Sequence, residues 1–187
     1  MISVICPTID GREEHFERCE KAYAENTATA YEFIVIRNEP TCGIAWQKGA
    51  EQAKGNYIHF TADDLEPWTN WDKEAREMAD DGWLPAPIIW NAPNQQIEAI
   101  GPTLYDGFFT RIPFCTAAQW DDIGPMIPLH YYTDNWFSAR GKEAGYESIE
   151  VEGYRFSHWW AMSGRLMDNM QKDFELYKHY REAGYEL

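Results

Sequence analysis

No uncharged run in this sequence reaches the roughly 20 residues that a helix needs to cross a bilayer. The opening stretch, MISVICPTIDG, lacks the basic lead and longer apolar core of an export signal, so the chain is expected to be soluble, unexported and cytoplasmic. Positive charge is also in short supply. Sixteen Lys and Arg face 31 Asp and Glu, and the net charge of -15 repels a phosphate backbone, which makes nucleic acid an unexpected partner. Cysteines are few and far apart: Cys6, Cys19, Cys42 and Cys115 show no paired short spacing of the kind found in zinc sites or small disulfide scaffolds. Reduced thiols fit that pattern. Internal repeats, low-complexity tracts and linkers are absent as well. What the chain has in plenty is aromatic side chains, nine Trp and eleven Tyr among 187 residues, which serve either as core or as flat platforms for sugar rings and bases. An apolar fraction of 44% at this length is enough to bury the core of one domain.

Strand-like and helix-like segments alternate from the start. ISVIC is short and β-branched; Asp10, three residues before Glu13, gives a capping pattern ahead of HFERCEKAYA, where Phe16, Cys19 and Tyr23 recur at helical spacing. EFIVI (32–36) reads as a second strand, GIAWQKGAEQA (43–53) as a helix ended by Gly55, and NYIHF as a third strand. Such alternation predicts right-handed crossovers and a largely parallel sheet, whose ligands bind beyond the carboxyl ends of the strands. Those ends are Pro7-Thr8, Arg37-Asn38 and Thr61 to Asp64. Further along, APIIW (86–90) and GFFTRI (107–112) read as strands about a PNQQ turn. TDNWFSARGKEAGY (133–146) reads as a helix with Trp136, Phe137 and Ala144 on one side and Gly145 as its C-cap, followed by a strand SIEVEG. From Ser163 the tail is an amphipathic helix with Leu166, Met170, Phe174 and Tyr177 on its apolar face.

FTADDLEPW (60–68) puts two adjacent carboxylates, Asp63 and Asp64, at the end of the third strand. Like charges side by side cost free energy unless something cationic relieves them. Helix capping does not account for the pair, because Thr69 and Asp72 form their own capping box for a helix starting near Asn70. A solvated acidic turn and a cation site both stay open.

Taken together, ISVICPT, YEFIVIRN, GIAWQKGAEQAKGNYIHFTADDLEPW, FFTRIPF...QWDDIG and TDNWFSARGKEAGY resemble, in order and spacing over residues 2 to about 160, the family 2 glycosyltransferases of the GT-A fold. The resemblance implies a Rossmann-like, three-layer α/β/α architecture with a mostly parallel central sheet. It also implies one domain over 1–187: a nucleotide-sugar half at about 1–68, an acceptor and catalytic half at about 83–160, and a C-terminal helix at about 163–183. The activity implied is inverting, metal-dependent transfer of a sugar from a nucleotide-sugar donor to an acceptor hydroxyl. A noncatalytic nucleotide-sugar or glycan-binding module and a nucleotidyltransferase-like enzyme are the alternatives.

Site roles follow from the same resemblance. Asp63 would accept hydrogen bonds from the donor ribose or contact the metal indirectly, and Asp64 would bind Mn2+ or Mg2+, a hard cation suited to the charge of a departing diphosphate. His158, in YRFSHWW, would complete the metal site or touch the diphosphate, with Arg155, Trp159 and Trp160 beside it. Asp134 would deprotonate the acceptor as general base, although Thr133 or Asp134 also suits a helix N-cap. Pro7, Thr8, Arg37, Asn38 and Lys48 complete the expected donor contacts. The chain departs from the family pattern at Ala62, where the first of three Asp usually stands, at Arg37-Asn38, where an Asp usually reads the base, and at Thr133 in place of Glu. Only residues 83–114 are left to shape an acceptor site, so the acceptor is expected to be small or bound on an open surface, with Trp83, Trp90, Tyr105 and Trp136 as candidate walls.

Overall fold

The computed structural model describes residues 1–98, 111–159 and 166–183. In chain order its first half contains β1 (Ile2–Thr8), α1 (Glu13–Asn26), β2 (Tyr31–Arg37), α2 (Cys42–Ala50), β3 (Tyr57–Phe60), β4 (Leu65–Pro67) and α3 (Asp72–Asp80). β5 (Leu84–Asn91), β6 (Gln96–Ile97), β7 (Phe114–Thr116), α4 (Ala117–Ile123), α5 (Thr133–Glu143), β8 (Ser148–His158) and α6 (Leu166–Ala183) follow. β1 is buried on both faces, as a central parallel strand must be, and pairs in parallel with β2 and β3; antiparallel β7 completes the order β2-β1-β3-β7. The second sheet, β4-β8-β5-β6, is mixed, with β8 parallel to β5 but antiparallel to β4.

Alternate residues of the first sheet feed two cores. Ile2, Val4 and Cys6 pack with Phe16, Cys19 and Tyr23 of α1 and with Ala75 and Ala79 of α3; Ile5, Ile58 and Phe60 face Trp46 and Ala50 of α2, Ile123 of α4 and Phe137 of α5. Helices therefore cover both faces.

Several local expectations give way to tertiary partners. The box at Thr69 and Asp72 does not form: α3 has no side-chain cap, and the fully buried Asp72 carboxylate accepts from the Ala28 and Thr29 N–H groups at 2.8 and 2.9 Å while Thr69 donates to Asn26. Backbone donors in the turn after α1 need a partner, and the acid supplies it. The Asp10–Glu13 box is likewise absent, since the Asp10 N–H donates to Asn38 Oδ1 and Glu13 reaches back to the Gly11 N–H. α2 stops at Ala50. The strand expected at 107–112 lies mostly outside the described residues; β7 follows it at Phe114–Thr116. Ala144 and Met170 are exposed, whereas Tyr177 packs on Ile127, Leu129 and Trp136. Gly145, at φ 93°, ends α5 as expected.

One polar group lies at the centre of the aromatic core. His59 is fully buried, its Nε2 2.7 Å from the Tyr23 hydroxyl and its Nδ1 3.1 Å from that of Tyr154. Burial lowers its pKa from 6.5 to about 3. A base whose pKa is depressed on folding contributes stability that is complete above its unfolded value and lost as pH falls through the folded one. Unfolding free energy is therefore expected to decline between about pH 6.5 and 3, and NMR should show the His59 ring neutral throughout most of that range. A ring titrating near 6.5 contradicts this assignment.

Candidate functional site

The cation that relieves Asp63 and Asp64 comes from the chain itself. Arg12, on the turn between β1 and α1, grips Asp63 through two donors, Nε to Oδ2 at 2.7 Å and Nη2 to Oδ1 at 2.5 Å, and reaches Asp64 Oδ2 at 3.4 Å. The Thr8 hydroxyl adds a 2.7 Å bond to Asp63, which is only 4% exposed. Two-pronged pairing is what a planar guanidinium offers a carboxylate. The strand end is anchored on its other side by Trp46, whose indole N–H donates to the Thr61 carbonyl at 3.0 Å.

Asp64 continues the network. Antiparallel pairing sets Leu65 opposite His158, and the Trp159 N–H donates to the Asp64 carbonyl at 3.0 Å, so the end of β8 lies against the acidic pair. His158 Nε2 stands 3.7 Å from Asp64 Oδ1, while its Nδ1 is 2.9 Å from Glu98 Oε1. Glu98 also holds Arg111 at 2.6 Å. Burial favours the neutral ring of His158, but the two carboxylates overcome it and raise the pKa from 6.5 to about 9. At neutral pH, Arg12, His158 and Arg111 alternate with Asp63, Asp64 and Glu98, and the cluster is charge-balanced. The sequence reading missed Arg12, Glu98 and Arg111. Only the Coulombic demand for a cation near Asp63 and Asp64 pointed toward any of them.

Asp134 occupies the second position of α5 and caps nothing. Tyr132, in the left-handed region at φ 68°, precedes the helix, and the Thr133 hydroxyl turns back to the Leu129 carbonyl at 2.9 Å. Asp134 Oδ1 accepts the neighbouring Asn135 N–H, at 2.9 Å. The residue is half-buried, and desolvation of its carboxyl raises its pKa from 3.8 to about 6 against the pull of the Asn135 and Asp134 N–H groups and of Arg111. Burial pushes the Cys42 thiol up, and Asp134, Asp63 and Asp64 all add to that shift, so the three carboxylates lie within electrostatic reach of the start of α2.

α2 begins against the segment that leads into α5. The Gly43 N–H donates to Leu129 at 2.9 Å, and a Cβ at Gly43 would run into the Ile127 carbonyl oxygen. Gly43→Ala is accordingly expected to cost about 1–3 kcal/mol of stability and to displace the turn that carries Asp134; a variant melting with the parent contradicts this.

Other expected site residues are distributed unevenly. Pro7 is the penultimate residue of β1, beside Ile36, and Asn38, at φ 59°, ties the strand ends together by donating its N–H to the Thr8 carbonyl at 3.0 Å. Arg37 points away from the pair, its guanidinium 4.9 Å over the Phe16 ring, and Lys48 binds both oxygens of Glu39 at 2.8 Å. Of the candidate acceptor walls, Trp136 is core, 4% exposed with its indole N–H on the Pro125 carbonyl. Tyr105 and Trp160 lie outside the described residues.

Asp64 Oδ1 and His158 Nε2, 3.7 Å apart, can both touch one divalent cation at ligand distances of about 2.0–2.2 Å, but only once the His158 ring, protonated at neutral pH, gives up its proton. Among the described residues no three His, Cys, Asp or Glu side chains gather around a metal position. The two that fit would leave the remaining coordination to phosphate oxygens and water, as Mg2+ prefers.

No family model matches the sequence, and no curated protein does either. Solved structures do match. S. aureus TarS superposes with a TM-score of 0.63 at 12% identity, covering 84% of this chain and 36% of TarS. TarS 1-349 in complex with UDP gives 0.67, and the same fragment alone 0.65, each at 12% identity with 84% of this chain and 60% of the fragment covered. This chain thus spans less than two thirds of each of those chains. Among the described residues, no helix is long and apolar enough to cross a membrane. At this identity the likeness is one of fold, and the chain has a glycosyltransferase-like α/β architecture.

Proposed function

We propose that this domain holds a nucleotide-sugar donor at the ends of β1, β2 and β3 and transfers its sugar to an acceptor hydroxyl with inversion. The carrying observation is the carboxyl of Asp134, with its pKa raised to about 6, set near the start of α2 together with the Asp63–Asp64 cluster. A base works best when its pKa lies near the working pH, and Asp134 is both ionised at neutrality and more basic than an ordinary carboxylate. It takes the acceptor proton as the acceptor oxygen bonds to the anomeric carbon; the bond from that carbon to the diphosphate breaks, and the electron pair leaves with the diphosphate. Thr8 and Asp63 orient the donor ribose, with Pro7 and Asn38 beside them. Arg12 and Arg111 supply fixed positive charge near the departing phosphates, and Arg37 and Lys48 approach only if they leave Phe16 and Glu39. Asp64 and His158 would hold Mn2+ or Mg2+, which when bound offsets further charge on the leaving group. The UDP complex of TarS 1-349 supports a nucleotide-binding reading of this fold.

The test is thermal melting with nucleoside diphosphates and nucleotide sugars, with Mn2+ or with chelator. A ligand at 100 times its Kd stabilises by about 2.7 kcal/mol, which for a chain of this length raises Tm by roughly 5–10 °C. If no nucleotide shifts the melt, the proposal is wrong. Equal shifts in chelator retain the donor site and remove the cation role of Asp64 and His158. Product analysis separates transfer at carbon, which releases a nucleoside diphosphate, from nucleotidyl transfer, which releases pyrophosphate.

A further inference from the structure

A groove of about 780 Å³ runs beside the acidic cluster, between α1 and the second sheet, and none of the roles above uses it. Its walls include Arg18, Asn26, Glu66, Trp68, Thr69 and Trp159. α1 rises about 1.5 Å per residue, so the stretch from Arg18 to Asn26 is about 12 Å long. The near end meets the site, because Trp159 donates its N–H to the Asp64 carbonyl.

Two large aromatics are presented to solvent there, Trp68 at 41% and Trp159 at 39% exposure. Among the described residues, Trp46, Trp71 and Trp136 are buried and Trp83, Trp90 and Trp120 half-buried, so this adjacent exposed pair stands apart. Both are held still. Trp68 donates its indole N–H to Ser157 Oγ at 2.9 Å and has the Arg155 guanidinium 5.6 Å from its ring centre; Arg18 lies 4.3 Å from the ring centre of Trp159. A rigid ring loses little entropy when a ligand stacks on it. Charge in the groove is already matched: Arg18 binds Glu66 at 2.6 Å, and Lys21 faces Glu25 at 3.8 Å. Matched charge does not select an ion. It leaves hydroxyl and amide recognition by Asn26, Thr69 and Ser157 around aromatic faces, the combination that a neutral polyhydroxylated ring satisfies, apolar on its face and hydrogen-bonding at its rim.

We propose that this groove binds a neutral oligosaccharide, stacked on Trp68 and Trp159 and running along α1 toward Asn26, as the docking site for the part of a glycan acceptor remote from the reacting hydroxyl. The acceptor role rests on the transferase reading above; the glycan-binding role does not. Remote binding of this kind lets a domain with a small acceptor half hold a chain in register.

The test uses the full chain with 15N-labelled indoles, titrated at millimolar concentration with neutral linear oligosaccharides of glucose, N-acetylglucosamine or mannose, and separately with UDP. At least one oligosaccharide should shift the Trp68 and Trp159 signals saturably. Trp68→Ala should weaken that binding about tenfold or more, Trp68→Phe should recover part of it, and the melting shift produced by UDP should not change in either. If no oligosaccharide in the set moves these two signals, if Trp68→Ala binds as the parent does, or if UDP itself saturates the groove, the proposal is overturned. Glycan binding without any nucleotide binding keeps the groove and removes the transferase reading.

Discussion

Asp134→Asn is expected to lose transfer by about 100- to 10,000-fold, the contribution of a general base, and at the same time to make the fold more stable above pH 6. Both effects come from one feature. The carboxyl is desolvated, so its pKa is about 6 in the folded chain against an ordinary 3.8. An acid whose pKa is raised on folding gives stability that is complete below the unfolded value and lost as pH rises through the folded one. The ionised carboxylate therefore costs the fold up to about 3 kcal/mol at neutral pH, at about 1.4 kcal/mol per pKa unit. Asn keeps an oxygen for the Asn135 N–H and removes the charge. For a chain of this length a gain of that size is roughly 5–10 °C in Tm at pH 7–8, shrinking to nothing below about pH 4. Transfer at the parental rate by the variant, in any assay where the parent turns over, rules out Asp134 as the base. The stability half is independent of activity: melting curves that coincide at pH 8 refute the desolvated carboxylate. Asp121 and Asp122 then become the candidates, although Asp122 already accepts a 2.5 Å bond from the Tyr146 hydroxyl.

Arg12→Gln should produce the largest loss of stability among the site variants. The Arg12 and Asp63 side chains are only 16% and 6% exposed, so removing the guanidinium leaves a carboxylate pair with little water to compensate it. Breaking a buried pair of this kind costs about 3–5 kcal/mol, partly offset here by the Thr8 hydroxyl that still reaches Asp63. Mutating the partner as well should return much of the loss, because Arg12→Gln with Asp63→Asn leaves no uncompensated charge. Mn2+ is expected to raise the Tm of Arg12→Gln more than that of the parent, since the freed oxygens of Asp63 and Asp64 then attract a cation. A single variant that melts with the parent means that Arg12 does not hold the pair.

Much of the frame is legible in the chain because it depends on neighbours in sequence. β-branched runs such as ISVIC and EFIVI stiffen into strands, and the spacing of Phe16, Cys19 and Tyr23 places all three on one face of a helix, whatever lies beyond. Adjacency alone puts Asp63 beside Asp64, and Coulomb's law then demands a cation. Which cation answers is not a local matter. Arg12 is 51 residues from Asp63, and Glu98 is 60 from His158; each meets its partner only because β1 carries one turn, and β5 and β8 the others, to the same edge. The helix caps show the same division from the other side. Thr69, Asp72 and Asp10 have the right residue types at the right spacing for capping, yet none caps its own helix: Thr69 and the Asp10 N–H bond side chains of other elements at the surface, and Asp72 is buried against the Ala28 and Thr29 N–H groups, because an unpaired buried N–H outweighs a cap that water can replace. Asp134 divides between the two. Its place at the head of a helix follows from the amphipathic spacing of TDNWFSARGKEAGY, but its basicity comes from burial among α2, α5 and the Ile127–Tyr132 turn, and burial is a property of the assembled fold alone.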